Sequence, residues 1–265
     1  MERQFAPIGV FDSGLGGLSV LQEIRTLLPA EDLLYVADGA YCPYGTRTPQ
    51  EILERSLAIA GALVSRSVKL AVVACNTACS VALDDLRARF SIPIVGLEPA
   101  IKPAAVETRS GRIAVIATPR TVAGTRLRNL VELYGRNAEV RLVAAPGWVD
   151  LVESGQTRGL VARDAVESLV RPLLAAGVDT IVLGCTHYPF LRSEIEASAG
   201  SHVRVIDSGE AIARRTRDLL DQGEIRRNHG HDGVTSLFTT GDAVAMSAIC
   251  SRLLGRNVVA EHFPV

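Results

Sequence analysis

The sequence predicts an α/β fold of two similar lobes with mainly parallel sheets, pseudo-twofold related, with the candidate site in the cleft between them. Three observations carry this. Short runs rich in β-branched residues alternate with helical patterns along the whole chain. A series of four strands in the first half recurs in the second, with Ile8 falling on Ile113 and Cys75 on Cys185 at a near-constant offset. Finally, VVACNTA (72–78) and IVLGCTHY (181–188) each end an apolar run on a cysteine followed by hydroxyl and amide side chains. In parallel sheets ligand groups gather at the carboxyl ends of strands, so the two cysteines occupy matching places in the two lobes.

The elements follow in order. IGVFDS (8–13), LLYVAD (33–38), KLAVVAC (69–75) and IPIVGL (92–97) read as the buried strands of the first half. RIAVIAT (112–118), EVRLVAA (139–145), DTIVLGC (179–185) and HVRVID (202–207) repeat them. A helix is expected over about 18–28. Thr48-Pro49-Gln50-Glu51 is a capping box with proline at the first helical position, opening a helix to about Arg66. Another helix follows Cys75, over 77–90. Gly135 and Gly177 are C-terminal stops, Pro172 should kink or split the helix over 163–176, and Pro189 opens the next. Past 207 come a helix from about Glu210, a strand TSLFTT (235–240), a helix over 242–254 and NVVAEHF (257–263). These exceed the repeat, and their simplest home is on the first lobe. The expected organisation is therefore 1–98 plus 208–265 as one lobe and 99–207 as the other, with crossings near Glu98-Pro99 and Asp207-Ser208.

Composition narrows the function. A formal net charge of −1 over 265 residues gives no long-range attraction to nucleic acid or anionic lipid. No apolar run approaches the roughly 18 residues of a membrane span. Residues 1–7 are charged and the apolar run from Ile8 breaks at Asp12-Ser13-Gly14, so no signal peptide is read and a cytoplasmic protein is expected. Five cysteines are an odd number, and in such a chain they are expected as free thiols. Cys75 and Cys79 have no histidine or second pair beside them, so no metal site is expected.

The candidate site residues are clustered around the strand ends. Cys75-Asn76-Thr77 sits where a strand gives way to a helix, whose unpaired N–H groups lower a thiol pKa and receive anions. Cys185-Thr186-His187 repeats the arrangement. A single buried cysteine is ordinarily a small hydrophobe, but two at equivalent strand ends are not explained by packing. Asp12-Ser13-Gly14-Leu15-Gly16-Gly17 follows the first strand, its glycines allowing backbone amides close to a ligand. It lacks both the G-x-G-x-x-G spacing and the Lys-Ser/Thr ending of a phosphate loop. Asp12 could hold an ammonium group or act on a neighbouring acid, or simply cap a turn. After the second strand, Tyr44 and Gly45 could face the cleft from a loop. Glu153, in the counterpart region after the sixth strand, reads alone as a solvated helix glutamate. His187 reads as an acid/base or thiol partner, the alternative being a hydrogen-bonded structural histidine. Two thiols facing one carbon could remove a proton from one side and return one from the other.

The motifs IGVFDSGLGGLSV, ADGAYCPYG, VVACNTA and VLGCTHYP, in this order and across nearly the full chain, resemble the cofactor-independent aspartate/glutamate racemase family. The resemblance implies interconversion of L- and D-glutamate by two thiols, supplying D-glutamate for peptidoglycan synthesis. It implies catalytic roles for Cys75, working on the D-enantiomer, and Cys185, working on the L-enantiomer. Asp12 and His187 would assist the thiols and Glu153 support the second. Substrate would lie among Asp12, Ser13, Tyr44, Gly45, Asn76, Thr77, Thr186 and His187, and the assembly would be a homodimer. No lysine in these motifs could anchor pyridoxal phosphate, and no cofactor is expected. Two departures stand out. The family's usual Asp-Thr-Ala-Arg is here Asp38-Gly39-Ala40-Tyr41, and a usual Ser or Thr is Cys79, which is read as packing. The rivals are an aspartate racemase using the same thiols and a non-catalytic, two-lobed amino-acid-binding protein. A cysteine phosphatase fits less well, since no arginine follows Cys75 to cradle phosphate.

Overall fold

The computed structural model describes residues 3–227 and 232–265. Two all-parallel sheets form the frame. In the first, β1 (Ile8–Asp12), β2 (Leu33–Ala37), β3 (Leu70–Val73) and β4 (Ile94–Gly96) run in the order β2-β1-β3-β4. In the second, β5 (Arg112–Ala117), β6 (Glu139–Ala144), β7 (Thr180–Leu183) and β8 (Arg204–Ile206) take the same order, β6-β5-β7-β8. The sequence repeat is thus a repeat of topology. The late strands β9 (Thr235–Thr239) and β10 (Ala260–His262) extend the first sheet beyond β2.

Eleven helices connect the strands among the described residues: α1 (Leu18–Leu27), α2 (Pro49–Ser65), α3 (Asn76–Arg89), α4 (Ile101–Glu107), α5 (Pro119–Ala123), α6 (Thr125–Tyr134), α7 (Trp148–Glu153), α8 (Leu160–Ala175), α9 (Arg192–Ala199), α10 (Gly209–Gln222) and α11 (Ala243–Leu254). The capping box at Thr48 is complete: Glu51 N–H donates to Thr48 Oγ1, and Thr48 N–H to the Glu51 carboxylate. Gly135 ends α6, and Gly177, with φ of 78°, follows α8 in the left-handed region that favours glycine. Two expectations need correction. Helix α8 continues through Pro172 without splitting, because it is held along its length by the buried Val166, Val170 and Leu173. Pro189 lies in a short 3-10 turn, Tyr188–Leu191, and α9 begins only at Arg192.

Successive side chains of β5 face two different cores, as a strand's two-residue period requires. Ala114 and Ile116 face a core shared with α7, α8 and α9, whereas Ile113 and Val115 face another shared with α4 and α6. The first sheet has one large core, joined by Ile212 and Leu220 of α10, which packs along α1. Where the chain passes between sheets, the two passages touch: Ser208 Oγ donates to Glu98 O at 2.5 Å. The same passages line a cavity of about 580 Å³, together with Lys102 and Arg215. Among the described residues, no helix is long and apolar enough to cross a membrane.

One buried ion pair ties the edges of the first lobe together. Lys69 Nζ lies 2.5 Å from Glu31 and donates to Gln4 O and Ile225 O, while Arg227 N–H donates to Glu31 Oε1. Both side chains are sealed from solvent. Replacing one partner strands the other's charge in the interior, which typically costs about 3–5 kcal/mol. Lys69→Met is expected to lower unfolding free energy by about that amount in urea titrations, and pairing it with Glu31→Leu should restore much of the loss.

Candidate active site

Each candidate thiol sits where its strand stops. Cys75 is the N-cap residue of α3, and its sulfur accepts from Ala78 N–H at 3.4 Å. The helix end therefore touches the sulfur, as the strand-to-helix switch predicts. Ser13 stands between Cys75 and Asp12: the thiol donates to Ser13 Oγ at 3.7 Å, and Ser13 Oγ donates to Asp12 Oδ1 at 3.1 Å. The Asp12 carboxylate also accepts from Ser13 N–H at 2.5 Å and, across the lobe boundary, from Thr186 Oγ1 at 3.0 Å. Burial, then the nearby Asp12 charge, push the Cys75 thiol well above its usual range, against the pull of its bonds to Ala78 and Ser13. Cys75 is consequently held as a thiol, linked through a hydroxyl to a carboxylate.

Cys185 has different neighbours. Its sulfur lies 3.6 Å from His187 Nδ1, and His187 Nε2 lies 2.6 Å from Glu153 Oε1. Glu153, at the C-terminal end of α7, is fixed from two sides. Leu15 N–H of the first lobe donates to Glu153 Oε1 at 2.6 Å. Within the second lobe, Trp148 of α7 meets Tyr188 edge-on, ring centroids 5.0 Å apart, which locks α7 against the turn that follows Cys185. Burial works against a charged His187, but its bonds to Cys185, Cys42 and Glu153 prevail and raise its pKa well above the usual value. Burial also opposes a charged Glu153, and there the His187 bond and charge, with Leu15 N–H, win and lower the pKa. The pair is an imidazolium-carboxylate pair next to a thiol.

The glycine loop works in a way its composition alone does not disclose. A Cβ at Gly16 would lie 2.2 Å from His187 Nδ1, and one at Gly14 would lie 2.1 Å from Glu153 Oε1. These glycines admit protein side chains of the opposite lobe, and the Leu15 amide between them receives a protein carboxylate. Tyr35 Oη, donating to Gly14 O at 2.6 Å, holds the loop from beneath.

The remaining predicted residues divide. Asn76, Thr77 and Thr186 are buried near the thiols; the Asn76 side-chain oxygen has no hydrogen-bond partner, an acceptor left unused in the interior. Thr77 Oγ1 contacts Thr118 Oγ1 at 3.0 Å and Thr121 Oγ1 at 3.2 Å. Gly45 lies against Thr118. Tyr44 does not stand free in the cleft: its hydroxyl donates to Asp38 Oδ2 at 2.6 Å, and Arg55 grips both oxygens of the same carboxylate. Cys79, as expected, is packed away, accepting from Leu97 N–H at 3.1 Å. Sequence reasoning passes over Thr118, Thr121 and Cys42. The first was within reach, since Thr118-Pro119 ends β5 where Asp12-Ser13 ends β1 and caps α5 through Thr121 N–H. Cys42 comes within 4.8 Å of both the Glu153 and the His187 donor atoms.

Comparison with known proteins supplies the context. Residues 8–216 match the model of the Asp/Glu/Hydantoin racemase family. A curated glutamate racemase from Herpetosiphon aurantiacus is 49% identical over 243 residues, spanning 92% of this chain and 96% of the relative. Among solved structures, a glutamate racemase isoform from Bacillus anthracis superposes with a TM-score of 0.90 at 32% identity, covering 99% of this chain and 98% of that one. Glutamate racemase from Escherichia coli, solved with L-glutamate and the activator UDP-MurNAc-ala, gives 0.86 at 36% identity, covering 98% and 99%.

The His187–Glu153 pair makes folding pH-dependent in a defined window. The raised His187 pKa contributes stability in full below about 6.5 and loses it as pH climbs through the folded value; the lowered Glu153 pKa contributes in full above about 4.5 and loses it as pH falls through the folded value. The stability difference between the protein and a His187→Gln variant, read from urea midpoints across pH, is expected to peak between about pH 4.5 and 6.5. A difference that grew steadily above pH 7 would contradict the ion pair.

Proposed function

The chain belongs to the Asp/Glu/Hydantoin racemase family, and we propose that it interconverts L- and D-glutamate by proton transfer between Cys75, Cys185 and the two faces of the α-carbon. The observation that carries this reading is the pairing of two strand-end thiols in equivalent places of two repeated lobes, each with its own proton acceptor or donor. Glutamate rather than aspartate is favoured by relatives named glutamate racemases at 41–49% identity. The same family resemblance supports the supply of D-glutamate for peptidoglycan synthesis as its role.

The α-hydrogen of an amino acid is a very weak acid, so the base must be strong and the developing charge must meet preorganised donors away from water. On one face, Cys75 passes its proton through Ser13 to Asp12, and the resulting thiolate takes the α-proton of D-glutamate. On the other, Cys185 beside the His187–Glu153 pair delivers a proton, and acts as base when L-glutamate is the substrate. His187, held by Glu153, lies 3.6 Å from the Cys185 sulfur and is its proton-transfer partner. Atoms balance without any cofactor: one proton leaves one face, one arrives at the other, and the configuration inverts. The unpaired Asn76 oxygen suits a substrate ammonium, while Thr77, Thr118, Thr121 and Thr186 supply hydroxyl donors for the carboxylates.

Chiral chromatography of the purified protein with L- or D-glutamate, no cofactor and D₂O as solvent is the direct test. Each enantiomer is expected to give the opposite one carrying deuterium at the α-carbon, with aspartate turned over far more slowly. Unlabelled product would rule out exchange through solvent-equilibrated thiols, and binding without exchange would favour a non-catalytic receptor. Cys75→Ser and Cys185→Ser are each expected to lower racemisation at least about 10³-fold, since a hydroxyl is a far poorer base than a thiolate at neutral pH. Circular dichroism should show the fold retained; near-normal turnover by either variant contradicts the two-base scheme.

A further inference from the structure

Cys42, outside the proposed proton transfers, completes a second chemical arrangement at the same place. It comes from the loop after β2, Glu153 from the end of α7 and His187 from the turn after β7. One donor atom from each residue lies within 4.8 Å of the others. A thiol, an imidazole and a carboxylate form the donor set that zinc takes with three protein ligands and one open position. Tetrahedral bonds of about 2.0–2.3 Å place such donors about 3.3–3.8 Å apart. Reaching that geometry requires the His187–Glu153 pair to part by about 0.7–1.2 Å from its 2.6 Å contact, and the other donors, within 4.8 Å, to close by about 1 Å or more. One of the three donors, Glu153, also lines a cavity of about 150 Å³ beside Gly14 and Met246.

We propose that Cys42, Glu153 and His187 form an inhibitory binding site for one zinc-class divalent cation. The ion would bind Nε2 of His187, the Cys42 sulfur and the Glu153 oxygen, with the imidazolium Nε2 proton and the thiol proton passing to solvent, and so dissolve the ion pair next to Cys185. The inhibitory consequence rests on the roles proposed above for that pair, whereas binding itself does not. Nothing in the chain's linear spacing announces the site, because each ligand belongs to a different segment.

Titration of the purified chain with Co²⁺, followed by displacement with Zn²⁺, tests binding without substrate. One equivalent of Co²⁺ is expected to produce a thiolate-to-cobalt absorption band in the near ultraviolet. Cys42→Ser should lose the band and weaken Zn²⁺ binding at least about tenfold, a loss seen even when only a supporting partner of a metal ligand is removed. Cys75→Ser should keep it. In the racemisation assay, stoichiometric Zn²⁺ should suppress the unaltered protein while Cys42→Ser remains active at the same concentration. A band that persists in Cys42→Ser, or no binding at all, overturns the site whether or not the protein racemises glutamate. Full occupancy with undiminished turnover overturns the inhibition and leaves the racemase reading intact.

Discussion

The arrangement of the site depends on one carboxylate. Glu153 accepts from Leu15 N–H of one lobe and engages His187 of its own, each at 2.6 Å, through the same oxygen. Charge-assisted hydrogen bonds of this kind contribute about 1.5–3 kcal/mol each, and here one of them spans the boundary between the sheets. The mirror contact runs the other way, with Asp12 of the first lobe accepting from Thr186 of the second at 3.0 Å. The two carboxylates thus hold the lobes together at the points where they also face the thiols. Both bonds join groups beside the cysteines across the boundary between the two sheets. The glycines at 14 and 16 follow from this, since any side chain there would occupy the space of Glu153 or His187.

Symmetry of topology and asymmetry of chemistry coexist for a physical reason. In the proposed scheme, repeated lobes offer two equivalent strand-end thiols, one for each face of the carbon that inverts. Identical surroundings would give both thiols the same protonation preference, and a reaction needs one base and one acid at any moment. Around Cys75 the charge is negative and reached through Ser13; around Cys185 a histidine and a glutamate form a nearly neutral pair. In the proposed scheme, that difference sets the resting proton distribution, and the repeat supplies only the geometry.

Much of this was legible in the chain because strand ends are marked by composition. β-branched runs end abruptly at Cys75 and Cys185, and the repeat makes them counterparts. What escaped depended on contacts between segments remote in sequence. Glu153 carries no local signal of its partners, since Leu15 is 138 residues away. The motif offers Ser13 as a ligand contact, and nothing local shows that its hydroxyl also lies between a thiol and a carboxylate. Tyr44 is placed near the cleft by its loop alone; the bonds of its hydroxyl to Asp38, and of Asp38 to Arg55, carry no local signal. Pro172 by itself predicts a break, but apolar burial along α8 outweighs one missing hydrogen bond.

The departures at Gly39 and Tyr41 become intelligible once β9 is seen beside β2. A Cβ at Gly39 would lie 2.7 Å from Thr239 Oγ1 of β9, so a side chain there would push the loop from the sheet's added edge. In its present position the loop is clamped: Ala40 N–H donates to Thr240 Oγ1, and that hydroxyl donates to Asp38 Oδ1 at 2.7 Å. Tyr41 supplies the face on which Arg55 rests, its guanidinium carbon 4.1 Å from the ring centre, and Arg55 in turn holds Asp38 and, through it, Tyr44. An aromatic ring beneath the guanidinium contributes about 0.5–1 kcal/mol where partly exposed, and it orients the fork as well. The altered loop therefore still fixes Tyr44 and delivers Cys42 to the His187–Glu153 pair, but it does so by leaning on the C-terminal strands. Those strands lie outside the internal repeat, and through this loop they become part of what shapes the site.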